Sequence, residues 1–564
     1  MDHMQRDPLH LPEILILIGR HLCQNDLATC IRVSHSWHSA MAPLLWTSVS
    51  LGLETNVPSA QVSLYPEPQA VIRNIHRIHS LELAGPSMSV YLQSIAPQLS
   101  NQLVHLSVTY YSPYVNRLLV QNSRSLRSFT CLDFIAPQPQ QLLLDGPSAL
   151  QIQEATTMWT TLSSLAHLDT LSLTHVLVYE RHHEMFFKIC RQLTSLTLER
   201  GKIFNMYPPN KQPFPKMKRL QLKRNSVAVH DQPRFIMQCP NLEHLAWTPI
   251  HSMPFTSLVF HLTTLPRGEP CRIASLDFTN TDLADKDFAL VLSCIPTLRR
   301  LIAIESPFAE MCCLQVVYFM SETLEELDLR NCVSVTSAFI QLILLTCKRM
   351  KRFRADQLDA GIMVARPADY KTTSSSQLQT SEEARSWISS IRNASAAISS
   401  PPSSSSHQIS EMTSPHMDWT WACTGLEELE LTFRELGNYG DSVTDVLFDQ
   451  LAALTQLQKL VLGWHHDSSK KKGLLPEPLL DTQLATLDLS LRCGGLSKLR
   501  TLTNLRDFDV QHVDLMAMTI EDVLWMGEHW KSLRRLRGAL TADKTEEDRI
   551  RAALAKDYLH ITLL

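Results

Sequence analysis

The sequence predicts an α/β protein in which a short strand and a helix alternate many times, after a small helical N-terminal region. Three observations support this prediction. The pattern L-x-x-L-x-L, with other apolar residues accepted at the leucine positions, recurs sixteen times. Most neighbouring copies begin 23 to 28 residues apart, which leaves room for one strand and one helix per copy. Residues 8–50 lack this pattern and instead have apolar residues at helical spacing.

The repeated pattern requires stacking. The two leucines of L-x-L point to one side of a strand and the x residues to the other. One unit therefore cannot bury its apolar side alone, whereas stacked units share a continuous core. The copies begin at Ile78, Leu103, Leu126, Leu168, Leu193, Met217, Leu242, Ile273, Leu298, Leu324, Met350, Leu426, Leu457, Leu484, Leu505 and Leu533. This region resembles the leucine-rich repeat family, which implies a horseshoe-shaped solenoid. The alternative is a leucine-rich array of helices.

Residues 8–50 predict three short helices. Pro12 suits the first turn of a helix, where its missing N–H is no loss. Two stripes of this helix are apolar, so it needs one surface to pack against in its own unit and a second on a partner. The first stripe contains Leu11, Leu15, Ile18 and Leu22, and the second contains Ile14 and Leu17. A third helix is expected to begin at Ser34 or Ser36 and to end at Pro43.

This N-terminal region resembles an F-box. The resemblance rests on Leu11, Pro12, Glu13, Ile14, Leu15, Ile18, Leu22, Asp26, Leu27, Val33, Trp37, Leu45 and Trp46. Gly19 stands where the family commonly has a bulky apolar residue. The resemblance implies that residues 8–50 bind a Skp-family adaptor and, through it, a cullin scaffold. The implied adaptor-binding residues are Leu11, Pro12, Ile14, Leu15, Ile18, Leu22, Leu27, Val33 and Trp37. The alternative is a helical cap that shields the first repeat.

Composition divides the rest of the chain. Residues 51–75 contain several prolines and predict a connector. Residues 76–365 carry the leucine-rich repeats up to the copy at Met350. Residues 366–420 are rich in serine and proline and predict a disordered loop, either a passive spacer or a phosphorylated segment. Residues 421–564 carry the remaining repeats and a C-terminal helix that closes the last one.

Charge and cysteine content exclude several classes of protein. The net charge of −4 gives no sign of a nucleic-acid partner, and no run is apolar enough to predict a membrane span. Thirteen cysteines without a C-x-x-C pair favour the reduced thiols of a cytoplasmic or nuclear protein. No catalytic or phosphate-binding motif is present, and the His182-His183-Glu184 and His465-His466-Asp467 runs lack further ligands at zinc spacing. We therefore expect no enzyme activity, cofactor or metal.

The x residues of the strands should line the inner face of the solenoid and bind a protein substrate. Charged residues of both signs follow one another in blocks at these positions, which favours a folded partner with a complementary pattern. The charged candidates are Arg219, Lys223, Arg300, Glu326, Asp328, Arg330, Arg352, Arg354, Glu428, Glu430, Asp507 and Asp509. Reversing Arg352 and Arg354 to Glu is expected to abolish binding and to leave the fold intact.

The sequence therefore predicts a non-catalytic adaptor. The F-box resemblance implies the substrate-recognition subunit of an SCF-type E3 ubiquitin ligase, whose repeats hold a protein substrate near the conjugating enzyme. The alternative is a leucine-rich-repeat scaffold or inhibitor without a ubiquitin role, in which the N-terminal helices are only a cap. Binding to a Skp-family adaptor distinguishes the two.

Overall fold

The leucine positions of the repeated pattern are buried, as the sequence predicts. Leu324, Leu327 and Leu329 of one copy, for example, all lie in the core. The computed structural model describes residues 11–51, 68–85, 88–133, 149–206, 212–227, 231–249, 272–364, 420–433, 441–463, 491, 494–510, 518–538, 544–558 and 561–563. Within these residues every copy of the pattern contains a strand. The copy at Leu484 and residues 366–419 of the predicted Ser/Pro-rich loop lie outside the described residues.

The strands are short and follow the copies of the pattern. They are β1 (Ser48–Leu51), β2 (Ser80–Leu83), β3 (His105–Tyr110), β4 (Ser128–Asp133), β5 (Thr170–Thr174), β6 (Leu177–Val178), β7 (Ser195–Glu199), β8 (Lys202–Ile203), β9 (Arg219–Val227), β10 (His244–Pro249), β11 (Ser275–Asp277), β12 (Arg300–Ile302), β13 (Glu326–Leu329), β14 (Arg352–Leu358), β15 (Glu428–Phe433), β16 (Lys459–Leu462), β17 (Asp507–Asp509), β18 (Arg535–Arg537) and β19 (Thr562–Leu563).

Helices connect most of the strands. They are α1 (Pro12–Gly19), α2 (Gln24–Cys30), α3 (His35–Thr47), α4 (Pro68–Arg73), α5 (Met88–Ile95), α6 (Pro113–Gln121), α7 (Ala149–Ser164), α8 (His183–Gln192), α9 (Asp231–Met237), α10 (Asp285–Ser293), α11 (Glu310–Gln315), α12 (Ser337–Thr346), α13 (Ala360–Val364), α14 (Asp441–Ala452), α15 (Gly495–Lys498), α16 (Ile520–His529) and α17 (Lys544–Asp557). This alternation of parallel strand and helix is that of a leucine-rich-repeat solenoid, which confirms the predicted α/β class.

The chain divides into two compact units, Met1–Pro254 and Phe255–Leu564. In the first unit the strands pair in the order β1, β2, β3, β4, β5, β7, β9, β10, and all pairs are parallel. In the second unit β11 to β19 pair in chain order, again in parallel. Equivalent positions of successive copies therefore lie side by side within each unit.

The same backbone turn follows the L-x-x-L-x-L motif in seven copies. The residue seven places after the first leucine position has a positive φ of 52° to 60° in each of them, although none of these residues is glycine. They are His175, Arg200, Arg224, Asn280, Glu305, Asn331 and Gln357. The amide of His175 donates to the Glu199 carbonyl of the next copy at 2.8 Å. Bonds of this kind offset the cost of the left-handed conformation and fix the stacking of the copies.

The three N-terminal helices surround a small core of their own. Leu15, Leu27, Ala40 and Met41 form its buried centre. Helix α3 begins with the Ser34 hydroxyl accepting from the Trp37 amide at 3.3 Å, as expected from the sequence. The helix does not end at the proline in its last turns, as the sequence suggested, but continues through it to Thr47.

Helix α3 runs directly into β1, which joins the sheet. Ser48 of β1 pairs with Ser80 of β2, and the Ala84 amide donates to the Leu51 carbonyl at 2.8 Å. The N-terminal region is therefore continuous with the repeats, and it also caps the first of them. Helix α4 lies within residues 51–75, which the sequence predicted to be only a connector.

Candidate protein-interaction surfaces

The N-terminal helices expose apolar side chains. Among the predicted adaptor-binding residues, Leu11 is 39% exposed and Val33 is 64% exposed, and Pro12 is also on the surface. Leu17 is 52% exposed, although it was not among the predicted residues. Its place on the second apolar stripe of α1 was the signal that could have identified it. These side chains could form the apolar part of a protein interface.

The other predicted adaptor-binding residues face inward to different degrees. Leu15 and Leu27 are buried in the core of the three helices, so they support the surface rather than form it. Ile18, Leu22 and Trp37 are half-buried and pack against that core. Ile14 is also half-buried.

Gly19 lies where α1 passes close to α3. A Cβ atom at this position would be 2.6 Å from Cδ1 of Leu44 and 3.4 Å from Cδ2 of Leu27. The bulky residue common in the family would therefore force these side chains to move. Close packing between the helices explains the glycine, despite its cost of about 1 kcal/mol to helix stability relative to alanine.

The charged x residues of the second unit form three rows across its strands. We define the rows by the second, third and fifth positions of L-x-x-L-x-L. The first row contains Arg299, Glu325, Lys351, Glu427, Gln458, Arg506 and Arg534. The second contains Arg300, Glu326, Arg352, Glu428, Lys459, Asp507 and Arg535, and the third contains Ile302, Asp328, Arg354, Glu430, Val461, Asp509 and Arg537. The sign of the charge changes at every step of the second row.

Neighbours in the second row form ion pairs. Nε of Arg300 is 3.1 Å from Glu326, and Arg352 is 3.6 Å from Glu326 on one side and 3.3 Å from Glu428 on the other. Further along the row, Arg535 forms two hydrogen bonds with Asp507, at 2.5 and 2.6 Å. The charges of this row therefore largely neutralise one another.

The third row has a more buried network. Asp328 is 2% and Glu430 is 5% exposed, measured on their side chains. Arg354 lies between them, 3.3 Å from Asp328 and 3.6 Å from Glu430, and also contacts Glu428 at 3.1 Å. Arg330 forms a bidentate pair with Asp328, at 3.0 and 2.8 Å. The two arginines offset the cost of burying the two carboxylates.

The pKa shifts agree with this network. Burial disfavours the charged guanidinium of Arg330, but its hydrogen bonds with Asp328, together with the charges of Asp328, Glu430 and Asp356, outweigh burial and raise its pKa. Burial raises the pKa of the neighbouring Asp356 carboxyl, and the charge of Glu430 raises it further against the hydrogen bond from the Asn331 amide. Burial therefore affects the pKa values of the charged groups on this face of the second unit.

The charge blocks expected from the sequence are not blocks in space. Charges of one sign that follow each other along the chain face charges of the opposite sign on the neighbouring strands. Replacing Arg352 and Arg354 with Glu would place two further carboxylates beside Glu326, Asp328 and Glu430. We therefore no longer expect this reversal to leave the fold intact. The candidates in the first unit, Arg219 and Lys223, lie on β9 outside these rows.

The second unit also has an open groove of about 590 Å³ at the start of its last strands. Its lining includes Arg506 and Arg534 of the first row. Neither residue was predicted from the sequence, because the predicted candidates occupy the third, fifth and seventh places of their copies and not the second. Their position directly after the first leucine was the available signal.

The described residues offer no metal site. No group of three or more His, Cys, Asp or Glu side chains that could hold a metal occurs among them. His182 is buried and hydrogen-bonded to Thr156, whereas His465-His466-Asp467 lies outside the described residues. Burial raises the pKa of the Cys312 and Cys313 thiols well above the ordinary value, so they stay protonated and unreactive. No helix of the described part is long and apolar enough to cross a membrane.

Comparisons with known proteins found a family match for the N-terminal region and matches among solved structures. Residues 10–52 match the F-box-like family model. No curated protein matches the chain in sequence. A leucine-rich-repeat protein of Leptospira interrogans is 14% identical, with a TM-score of 0.37, 89% of this chain covered and 99% of the other. The yeast Rad7–Elc1 complex gives 12% identity and a TM-score of 0.34 over 52% of this chain and 74% of that chain. The plant peptide hormone receptor RGFR1 in complex with RGF2 is 13% identical, with a TM-score of 0.27, 88% of this chain covered and 73% of the other.

Proposed function

We propose that this chain, an F-box-like domain continuous with leucine-rich repeats, is the substrate-recognition subunit of an SCF-type E3 ubiquitin ligase. The F-box-like domain binds a Skp-family adaptor, which links it to a cullin scaffold, and the repeats bind a protein substrate. The chain itself is not catalytic and acts by raising the effective concentration of the substrate near the conjugating enzyme. The buried cysteines of the described residues form no disulfide, which suits the cytoplasm or the nucleus.

The observation that carries the proposal is the exposed apolar surface of the N-terminal helices. Nine large apolar side chains are exposed among the described residues, and three of them, Leu11, Leu17 and Val33, lie in this small region. Exposed apolar side chains concentrated in so small a region favour contact with another protein. A domain that served only to cap the repeats would need its apolar surface on the side of β1 and β2, not on these exposed positions.

Binding to the adaptor tests the proposal. The full chain should co-purify with a Skp-family adaptor, and Leu17→Asp or Val33→Asp should weaken the complex at least about tenfold, because each would bury an unpaired charge in the interface. The matched control is Val333→Asp, since Val333 is 77% exposed and lies in the second unit. Equilibrium dissociation constants measured for the four proteins give the comparison.

Two results would contradict the proposal. If the folded wild-type chain binds no Skp-family adaptor, the N-terminal helices are structural and the protein is a repeat scaffold or inhibitor without this ubiquitin role. If Val333→Asp weakens the complex as much as Val33→Asp, the adaptor does not bind at the N-terminal helices. Circular dichroism of each variant shows whether its fold is retained.

A further inference from the structure

The first row of the second unit breaks its own pattern of charge. From Arg299 to Glu427 the sign alternates at every strand, through Glu325 and Lys351. The Nζ atom of Lys351 is 2.8 Å from Glu325, and Arg299 is 3.9 Å from the same carboxylate. After the uncharged Gln458, however, two arginines follow each other.

Opposite charges at this position are also found in the first unit. Lys218 and Glu243, which precede β9 and β10, are 2.8 Å apart. Arg127 and Asp169, which precede β4 and β5, are 3.6 Å apart. An acid beside a base is therefore the common arrangement at the start of neighbouring strands, and the two adjacent arginines of the second unit depart from it.

Arg506 and Arg534 are direct neighbours in the sheet. The Arg534 amide donates to the Arg506 carbonyl at 2.7 Å, and β17 and β18 continue in register from there. Both residues are exposed, and neither side chain has an ion-pair partner within the described part of the chain. Two like charges side by side on neighbouring strands are destabilising. An anion placed between them would remove this repulsion.

The groove beside the arginines is open and polar. Its other charges are mostly paired, because Glu428 contacts Arg352 and Arg354 and because Asp507 binds Arg535. Lys459 lies in register between Glu428 and Asp507. The charges left for a ligand are therefore those of the two arginines and of Lys459, with Glu427 at the opposite end of the groove.

We propose that this groove binds an acidic segment of a partner protein, with Arg506 and Arg534 holding its Asp or Glu side chains. The guanidinium group matches a carboxylate in a bidentate pair, which gives direction as well as charge. A shallow groove across several strands suits an extended peptide. The inference rests on the proposed role of the repeats in binding a protein, but it does not depend on the adaptor.

Peptide binding to the full chain tests the inference. The probe is a fluorescent peptide of alternating Glu and Gly, and its affinity is measured by anisotropy at low ionic strength. The double variant Arg506→Gln/Arg534→Gln should bind at least about tenfold more weakly, since hydrogen bonds to charged groups are lost. The matched control is Arg299→Gln, which removes an exposed arginine of the same row whose charge Glu325 offsets. It should leave the affinity unchanged within about twofold.

A charge reversal separates binding from folding. Arg534→Glu restores the alternation beside Arg506, so it should abolish peptide binding and raise the midpoint of urea unfolding. Co-purification with a Skp-family adaptor should be the same for all these variants. Loss of peptide binding at the groove can therefore be distinguished from loss of adaptor binding.

Several results would overturn the inference. The first is the absence of peptide binding by the wild type. The second is a loss of affinity in Arg299→Gln equal to that in the double variant, and the third is a lower midpoint of urea unfolding in Arg534→Glu. The assignment of an acidic peptide would also be overturned if inorganic phosphate displaced the peptide at equal concentration. Tighter binding of duplex DNA than of the peptide would overturn it in the same way.

Discussion

At the scale of single residues, buried polar side chains join one copy of the repeat to the next. Asn225 follows the left-handed turn after the strand motif of β9. Its Oδ1 accepts from the Gly201 amide at 2.8 Å, and its Nδ2 donates to the Leu198 carbonyl at 2.7 Å. In the copy that begins at Leu324, Cys332 occupies this position and donates to the Ala303 carbonyl of the preceding copy at 2.8 Å. Two very different side chains thus serve the same purpose, whereas Ser306 at this position donates to the Ala303 carbonyl of its own copy at 2.6 Å.

We predict that Asn225→Ala lowers the free energy of unfolding by about 2–3 kcal/mol, because a buried amide and a buried carbonyl lose their partners. Urea unfolding followed by circular dichroism measures the change. Ser226→Ala is the control, since Ser226 is exposed and adjacent, and it should change the free energy by less than about 0.5 kcal/mol. Equal effects of the two variants would mean that the hydrogen bonds of Asn225 contribute nothing special.

His182 is a buried histidine held in its neutral form. The Tyr179 amide donates to Nδ1 at 3.3 Å, so the proton is on Nε2, which is 2.9 Å from the Thr156 hydroxyl. That hydroxyl in turn donates to the Ile152 carbonyl at 2.8 Å. Burial, with the charge of Arg181, lowers the pKa of His182 to about 4. A second proton on the ring would have no acceptor.

This shift predicts a loss of stability in acid. The pKa of His182 in the folded state lies below the unfolded value of about 6.5. The contribution of the neutral side chain to the free energy of unfolding is therefore complete above that pH and is lost as the pH falls towards about 4. The loss amounts to at most about 3 kcal/mol. The urea midpoint should therefore fall more between neutral pH and about pH 4.5 in the wild type than in His182→Gln. The same fall in both proteins would contradict the prediction.

At the scale of elements, β14 shows how the two arginines of one strand differ. Arg354 contacts the buried Asp328 and Glu430, whereas Arg352 contacts the more exposed Glu326 and Glu428 and is itself 47% exposed. We predict that Arg354→Gln lowers the free energy of unfolding by about 2–3 kcal/mol, since Arg330 still holds part of the buried charge.

Arg352→Gln is the matched variant on the same strand, and it should cost less than about 1 kcal/mol because its ion pairs are screened by water. Urea unfolding of both variants measures the difference. An equal cost would show that burial does not distinguish the two rows. This pair of variants also shows which arginine can be changed in a binding experiment without disturbing the fold.

The sequence predicts elements better than it predicts contacts. The repeated leucines determine where each strand lies and which of its sides is buried, and the C-terminal helix expected after the last repeat is found at Lys544–Asp557. The charge pattern could not be predicted in the same way, because Arg354 meets Asp328 and Glu430 across strands that are far apart in the chain. The glycine at position 19 could not be explained from the sequence either, because a side chain is excluded there by Leu44, which approaches from another helix.

At the scale of the molecule, the two candidate surfaces belong to different compact units. The exposed apolar residues of α1 and the α2–α3 turn lie in the first unit, and the groove at Arg506 and Arg534 lies in the second. The F-box-like match at residues 10–52 includes β1 and so extends into the sheet itself. The segment that matches the F-box-like family and the segment that folds as one unit are therefore not the same.

The pairing of β1 with β2 has a consequence for deletion experiments. Val49 and Leu51 of β1 are buried beside Leu81 and Leu83 of β2. Removing residues up to 51 would leave β2 with unpaired backbone groups and uncovered apolar side chains. An open strand edge of this kind is where separate chains join and aggregate. A shortened chain that precipitates would therefore reveal a lost neighbour in the sheet rather than a lost partner protein.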